Sequence, residues 1–303
     1  MTAPNRATGK LFDLSSRTKL RVSGSDRVRF LNGQITNDIR KATETRTIEA
    51  CVLNAKGKMD AHVFIRAQGD WFLVDAAPEV RGSLEPRLER YIIADDVHIE
   101  DVTDQLSILH LLNADTPHVV NECTVSSAMR FADPGWDIWM GATNRDEIFR
   151  QLVSEFEFCD AGCAEVLRIQ QGIPSWGREL TPDIIPIEAN LETRCIDYEK
   201  GCYIGQETIS RMKMSGQRNK RLCGLMASAQ SPLAPGMQLL AESDDKNVGW
   251  LTSTAGTESP PRQLALGYVK RGFNAAGSRL RAIAGEQISQ GVEVEIVDLP
   301  SRE

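Results

Sequence analysis

An α+β fold is predicted, with helices and strands mixed up to about residue 215 and short strands alone after it. Three observations carry this. Apolar residues recur at helical spacing over 79–93 and from Ile148 to Phe156, polar and apolar residues alternate over 19–22, and six β-rich runs follow Leu222 with no helical pattern among them. A chain of 303 residues holds about two domains. The change of texture divides them near 215–222, as a mixed region 1–217 and a strand-rich region 218–303.

The elements follow in order. Ser25 or Asp26 can cap a short helix through Val28, Phe30 and Leu31 that stops at Gly33. Two β-rich runs, 47–53 and 59–66, flank a short polar connection containing Gly57, whose freedom at positive φ suits a hairpin. A strand is expected at 71–74, then a helix over 79–93 that Pro86 kinks or splits. Strands at 97–99 and 106–112 come next. Thr143 and Asn144 before Asp146 and Glu147 start a helix, and a further helix over 161–171 ends at Gly172. The tail runs 222–226, 238–241, 249–252, 264–268, 280–283 and 292–297 are close enough for a barrel or a sandwich. Loops are expected at 244–246 and 256–261.

Composition excludes several classes. With 41% apolar and 25% charged residues the chain is neither disordered nor fibrous. No stretch reaches the roughly 18 apolar residues of a membrane helix, and MTAPNRATGK lacks the apolar core of a signal peptide, so no membrane association and a cytoplasmic location are expected. Seven cysteines without a CxxC pair favour free thiols, and Cys159 and Cys163 suit buried small hydrophobes. Phosphate-cradle, zinc-protease and hydrolase-elbow motifs are missing, and no metal site is expected from the spacing of cysteines and histidines. A net charge of −7 argues against wholesale nucleic-acid binding. Yet Arg211, Lys213, Arg218, Lys220 and Arg221 crowd one stretch with no acid from Thr208 to Ala241. That strip is either a solvated edge or an anion-facing surface.

The most informative run is Lys200-Gly201-Cys202-Tyr203-Ile204-Gly205-Gln206-Glu207. It reads as a loop followed by a helix from about Gln206, with Glu207 in the first turn and Arg211 placed to pair with it. Cys202 lies beside a lysine and ahead of a helix N-terminus, where thiolate formation is favoured. The alternative is a buried structural cysteine in a tight turn, since no histidine lies nearby in sequence.

This run resembles the signature of the YgfZ family of folate-binding proteins, relatives of the aminomethyltransferase (T-protein) of the glycine cleavage system. The resemblance spans nearly the whole chain. Phe30-Leu31-Asn32-Gly33-Gln34-Ile35-Thr36-Asn37-Asp38 resembles the family's FLxGQxTND block, 53–59 its glycine-containing turn, and 168–174 and 185–191 precede the signature in the expected order. The resemblance implies α+β subdomains in a ring around a central folate channel, with a C-terminal β-barrel. It implies tetrahydrofolate, or a one-carbon derivative, as ligand, and iron–sulfur client or assembly proteins as partners, with Cys202 as the reactive group. Lys200, Tyr203, Gln206, Glu207 and Arg211 are carried over as binding residues with the signature.

Glu188 matches the family glutamate that faces the pterin, whose paired N–H donors suit two carboxylate oxygens; otherwise it is a cap or surface acid after Pro186. Asp60 falls where T-proteins carry an aspartate near the reactive folate nitrogens, a departure from many YgfZ-like chains; otherwise it is a solvent-facing strand residue. Asp60 supports the alternative function, a tetrahydrofolate-dependent aminomethyltransferase. The strip 211–221 could meet folate glutamyl carboxylates or, in a third reading, make weak contact with tRNA.

Overall fold

The computed structural model describes residues 9–118, 123–228, 230, 232–258, 261–285 and 291–299, so the first eight residues of the N-terminal stretch expected to lack an export signal lie outside the described residues. Contacts divide the chain into Met1–Ala161 with Arg194–Gln206, and Gly162–Thr193 with Glu207–Glu303. No described helix is long and apolar enough to cross a membrane.

In the first unit β1 (Lys10–Asp13) leads to β2 (Thr18–Ser23), α1 (Arg27–Gln34), the hairpin β3 (Ile48–Leu53) and β4 (Met59–Gln68), and β5 (Trp71–Ala76). Then come α2 (Arg81–Glu89), β6 (His98–Asp101), β7 (Leu106–Leu112), β8 (Thr124–Ala128), β9 (Gly135–Gly141), α3 (Arg145–Leu152) and the short β10 (Glu157–Phe158). They form two five-stranded sheets, ordered β10-β1-β7-β9-β8 and β3-β4-β5-β2-β6. The strand β7 explains why its sheet is covered on both faces. Leu109 and Leu111 pack with Leu11, Ile138 and the α3 residues Ile148 and Leu152, while Ile108 points the other way, to Trp139, Leu73 and Val102.

Charge, not only apolar area, lies between those sheets. Asp75 on β5 and Asp137 on β9 are both fully buried, and Arg130 bonds to each with two nitrogens, at 2.8 and 2.8 Å to Asp75 and at 2.6 to 3.1 Å to Asp137. Arg17 also binds Asp75. The Arg130 guanidinium lies 4.0 Å from the Phe64 ring centroid, a stacking that a planar cation tolerates without water. His110 on β7 sits opposite Asp137 and contacts it at 2.8 Å through Nδ1. Burial alone would raise the Asp137 pKa, but the Arg130 charge and the His110 hydrogen bond hold it well below the usual carboxylate range. Burial pushes His110 down despite that bond. A neutral His110 donating from Nδ1 to an ionised Asp137 satisfies both shifts.

The second unit contains most of α4 (Ala161–Gln171), the start of α5 (Glu192–Cys195), nearly all of α6 (Gln206–Ser215), and β11 (Lys220–Ser228), β12 (Gln238–Ala241), β13 (Asn247–Glu258), β14 (Pro261–Lys270), β15 (Arg279–Ile283) and β16 (Val292–Val297). The six strands close as β11-β14-β13-β12-β15-β16 around Leu225, Leu239, Leu251, Val269 and Ile296. The choice between barrel and sandwich is therefore a barrel. Glu179, fully buried, fixes the preceding segment to its wall: it accepts from Thr252 and Ser253 at 2.6 Å each and from Arg168 at 3.0 Å.

Several expectations are corrected. The helix expected over 79–93 runs only Arg81–Glu89, after a 3-10 turn, and Ile93 is exposed. The chain leaves the helix because Asp96 is needed elsewhere: its carbonyl accepts from Asp26 N, and its carboxylate from Ser25. Asp26 occupies the N-cap position of α1 without a side-chain cap bond, and Gly33 lies inside that helix. Residues 256–258 are strand, not loop, because β13 and β14 pair up to Glu258 and Pro261; Ser259 and Pro260 lie outside the described residues. Cys159 and Cys163 are disulfide-bonded rather than free, the turn into α4 bringing near neighbours within reach.

Two outcomes are expected from the buried charges. Arg130→Met should cost roughly 3–5 kcal/mol, the range for leaving buried charge uncompensated, read from the urea midpoint; a change under about 1 kcal/mol would mean that the sheets do not rely on it. Asp137 and His110 both titrate lower in the fold than unfolded, so their contribution is complete above about pH 6.5 and is lost as pH falls through each folded value. Because His62, raised to about 9, contributes in the opposite sense over this range, the test is differential: the melting temperature of His110→Gln should fall less steeply than that of the wild type as pH drops below about 7.

Candidate functional site

The signature loop belongs to the first unit, and its lysine faces inward. Lys200 Nζ donates to the carbonyls of Asn32, Ile35 and Asn37 at 2.6, 2.6 and 2.9 Å, using its three hydrogens on the backbone at the end of α1. A helix C-terminus leaves carbonyls unpaired, and an ammonium there satisfies them. Burial lowers its pKa to about 8. Tyr203 is buried with its ring 5.0 Å from that ammonium, and burial pushes its phenol upward. Gly205 has φ +85°, and an added Cβ would stand 2.7 Å from the carbonyl oxygen of Asn54. Only glycine lets the loop rest against the β3–β4 turn. Between these two anchors Cys202 is exposed.

Asp60 opens β4 on the same hairpin and is half-buried. Arg87 holds it at 2.5 Å, and the same guanidinium donates to Gln34 Oε1 at 3.1 Å and to the Leu53 carbonyl at 2.6 Å. The carboxylate is thus oriented by α2 rather than free on a strand. No local sequence signal marks Arg87, because its three partners, Gln34, Leu53 and Asp60, are brought to it by the fold.

Glu188 lies in the second unit and is buried. Its Oε2 accepts from Ile185 N at 3.3 Å and is 3.6 Å from Lys220 Nζ. Lys220 in turn lies 5.5 Å from the rings of Trp250 and Tyr268. A buried carboxylate beside one cation and two aromatic rings can recognise a flat heterocycle with N–H donors. The backbone fixes its position, since Glu188 O accepts from Leu222 N at 2.8 Å and Asn190 Nδ2 donates to Leu222 O at 2.9 Å.

Gln206 and Glu207 begin α6, and Arg211 is exposed on it. Among the described residues no hydrogen bond or ion pair joins Glu207 to Arg211: both are exposed and solvated, so the expected pairing is absent. The basic strip is less bare than its sequence, because Arg218 pairs with Glu192 at 2.7 Å and Lys220 with Glu188.

A further cluster has no counterpart in the sequence reading. Glu49 and Cys51 share one face of β3, His62 on β4 is the register partner of Cys51, and Cys195 arrives from the distant α5. His62 Nε2 is 2.8 Å from Glu49 Oε1 and 3.8 Å from Cys195 Sγ, while Arg194 Nε donates to Glu49 Oε2 at 2.7 Å. Burial would lower the His62 pKa, but its bonds to Cys195 and Glu49 raise it to about 9. Burial pushes the Cys195 thiol well up. The hairpin register could have revealed Glu49, Cys51 and His62 together; nothing in the sequence pointed to Cys195.

Comparison with known proteins agrees with this architecture. The family described as GCVT N-terminal domain matches residues 4–133. A chloroplastic protein of Arabidopsis thaliana whose name proposes a transferase is 30% identical over 94% of this chain and 70% of its own length. The aminomethyltransferase of Aquifex aeolicus is 28% identical over 87% of this chain and 76% of its own. The crystal structure of the glycine cleavage system aminomethyltransferase T from Bartonella henselae superimposes with a TM-score of 0.84, covering 98% of this chain and 87% of that one at 18% identity, which establishes a shared fold. The chain belongs to the GCVT family, within the aminomethyltransferase-like superfamily.

Proposed function

We propose that this protein binds tetrahydrofolate, or a one-carbon derivative of it, and serves iron–sulfur cluster assembly or repair in the manner of YgfZ proteins, with Cys202 as its working thiol. The observation that carries this reading is the exposed Cys202 on a loop pinned by Lys200 and Gly205. Such a loop presents a thiol at a fixed place without burying it, which suits a group that must meet a partner or a cluster rather than pack a core. Glu188 supports the folate part: a buried carboxylate is the acceptor pair that a pterin edge requires.

A second reading is supported by Asp60. Its oriented carboxylate, held by Arg87, is suited to contact the reacting nitrogens of a folate, and relatives in this family are named aminomethyltransferases. In that reading Asp60 positions the acceptor nitrogen and takes the proton that nitrogen loses as its new C–N bond forms, and the thiol is dispensable. Formation of 5,10-methylene-tetrahydrofolate from an aminomethyl carrier by the purified protein would place the transferase first.

Four outcomes test the leading proposal. Tetrahydrofolate at about 100 times its dissociation constant should stabilise the native state by about 2.7 kcal/mol, visible as a raised melting temperature. Glu188→Gln, which puts a donor opposite a donor, should weaken that binding at least about tenfold, because a hydrogen bond to a charged group contributes roughly 1.5–3 kcal/mol. No thermal shift at saturating reduced folate would sink the folate assignment. Cys202→Ser should leave folding and folate binding intact while abolishing rescue of iron–sulfur enzyme activity in cells lacking the protein. Alkylation should mark Cys202 before Cys51, Cys195 and Cys223, which are buried. Full complementation by the serine variant would transfer the argument to Asp60.

A further inference from the structure

The cluster of Glu49, His62 and Cys195 serves neither role above, yet its geometry is specific. A carboxylate oxygen, an imidazole nitrogen and a thiol sulfur lie within 4.8 Å of one another, in a unit where Glu49 is buried and Cys195 fully so. One atom, His62 Nε2, faces both of the others, at 2.8 Å from Glu49 Oε1 and 3.8 Å from Cys195 Sγ. A single N–H cannot point well at two acceptors, whereas one cation between three donors satisfies all of them. Bonds of about 2.0–2.3 Å from a tetrahedral ion set its ligands roughly 3–4 Å apart, so the donors need only small shifts. Cys51, a second buried thiol that interacts with Cys195, lies beside this group and offers a further donor.

The surroundings hold these donors in place. Arg194 occupies the second oxygen of Glu49 at 2.7 Å, leaving the first for a ligand. Thr36 Oγ1 donates to the Cys195 carbonyl at 2.6 Å and accepts from Cys51 N at 2.9 Å, so both cysteine backbones hang from one hydroxyl. Asn37 Nδ2 bonds to the carbonyls of Glu49 and Arg194, at 2.9 and 3.3 Å. Outer groups of this kind orient ligands in metal sites. Charge balances as well: a divalent ion offsets two units on one carboxylate and one thiolate, and Arg194 offsets a second thiolate.

We propose that Glu49, His62 and Cys195 form a site for a divalent ion of the zinc class, with Cys51 completing a four-donor set. Thiolate, imidazole and carboxylate together are a borderline donor set that suits zinc over calcium or magnesium, which prefer oxygen alone. With four protein donors the site has no open position, so its role is to lock β3 and β4 to the segment 194–195 rather than to activate water. Binding replaces a proton on the imidazole and one on each coordinating thiol, so ion uptake releases protons to solvent.

The test uses the full chain without an affinity tag, reduced, stripped with a chelator and then loaded with cobalt(II). About one equivalent should survive gel filtration and give thiolate-to-cobalt charge-transfer absorption, and zinc(II) should bleach that band by displacement. Cys195→Ser should remove most of the band and weaken zinc retention at least about tenfold, whereas Cys202→Ser should keep both. If Cys195→Ser loses its far-ultraviolet circular dichroism, His62→Gln provides the same comparison. A wild-type protein that retains no ion, a band that survives both Cys195→Ser and His62→Gln, or a band that disappears in Cys202→Ser would each overturn the proposal.

Discussion

The Arg130 guanidinium between Asp75 and Asp137 is the interaction on which the first unit depends, because each carboxylate comes from a different sheet. Removing ions from water costs several kcal/mol apiece, and only close, doubly bonded partners offset it. Here two guanidinium groups, Arg17 and Arg130, face two carboxylates, and His110 adds a neutral donor. Such a set is satisfied in one arrangement of the sheets. Slipping β9 by one residue would send Asp137 to the opposite face and put Ile138 or Trp136 against Arg130. Apolar packing alone would resist that slip less, since β7 and β9 carry large hydrophobes on both faces.

Lysines perform a related task where the backbone is irregular. Lys19 Nζ meets the carbonyls of Ser15, Arg17 and Thr103, and Lys200 Nζ meets those of Asn32, Ile35 and Asn37. Burial lowers the pKa of each to about 8, yet neither has a carboxylate in hydrogen-bond range among the described contacts. An ammonium has three donors in a compact head, which matches three converging carbonyls as a planar guanidinium does not. The lysine of the signature is therefore an anchor for the loop, and the exposure of Cys202 two residues later is a consequence of that anchoring.

How much of this could be read from sequence depends on range. The hairpin at Gly57, the helix ending at Gly172 and the tail strands were legible because periodicity and turn chemistry are local signals; Gly57 and Gly172 do adopt positive φ. The strands β1, β8 and β9 left no such mark, being short, serine-rich or tryptophan-rich and buried by contacts far along the chain. The helix α2 ended early because Asp96 bonds to residues about 70 positions away, which no local pattern encodes. Among the candidate residues, Cys202, Asp60 and Glu188 were singled out by motif and resemblance. Arg87 and the Glu49–His62–Cys195 cluster were not, since each is assembled by tertiary approach.

One short stretch connects the exposed thiol to the buried donors. Residues 32–37 give three carbonyls to Lys200, and Thr36 and Asn37 bond to Cys195 and Arg194; Thr36 O also accepts from Asp197 N at 3.0 Å. The segment 194–200 is thereby attached at both ends to the same turn. A displacement of that turn would move the Cys202 loop and the Glu49–His62–Cys195 donors together, whereas a change confined to either would leave the other in place. The polar residues at 36 and 37 are thus spent on the backbone rather than on solvent or ligand. That explains why a motif made of side chains able to bind small molecules sits buried here: Thr36 is fully enclosed, and its hydroxyl already has a donor and an acceptor of its own.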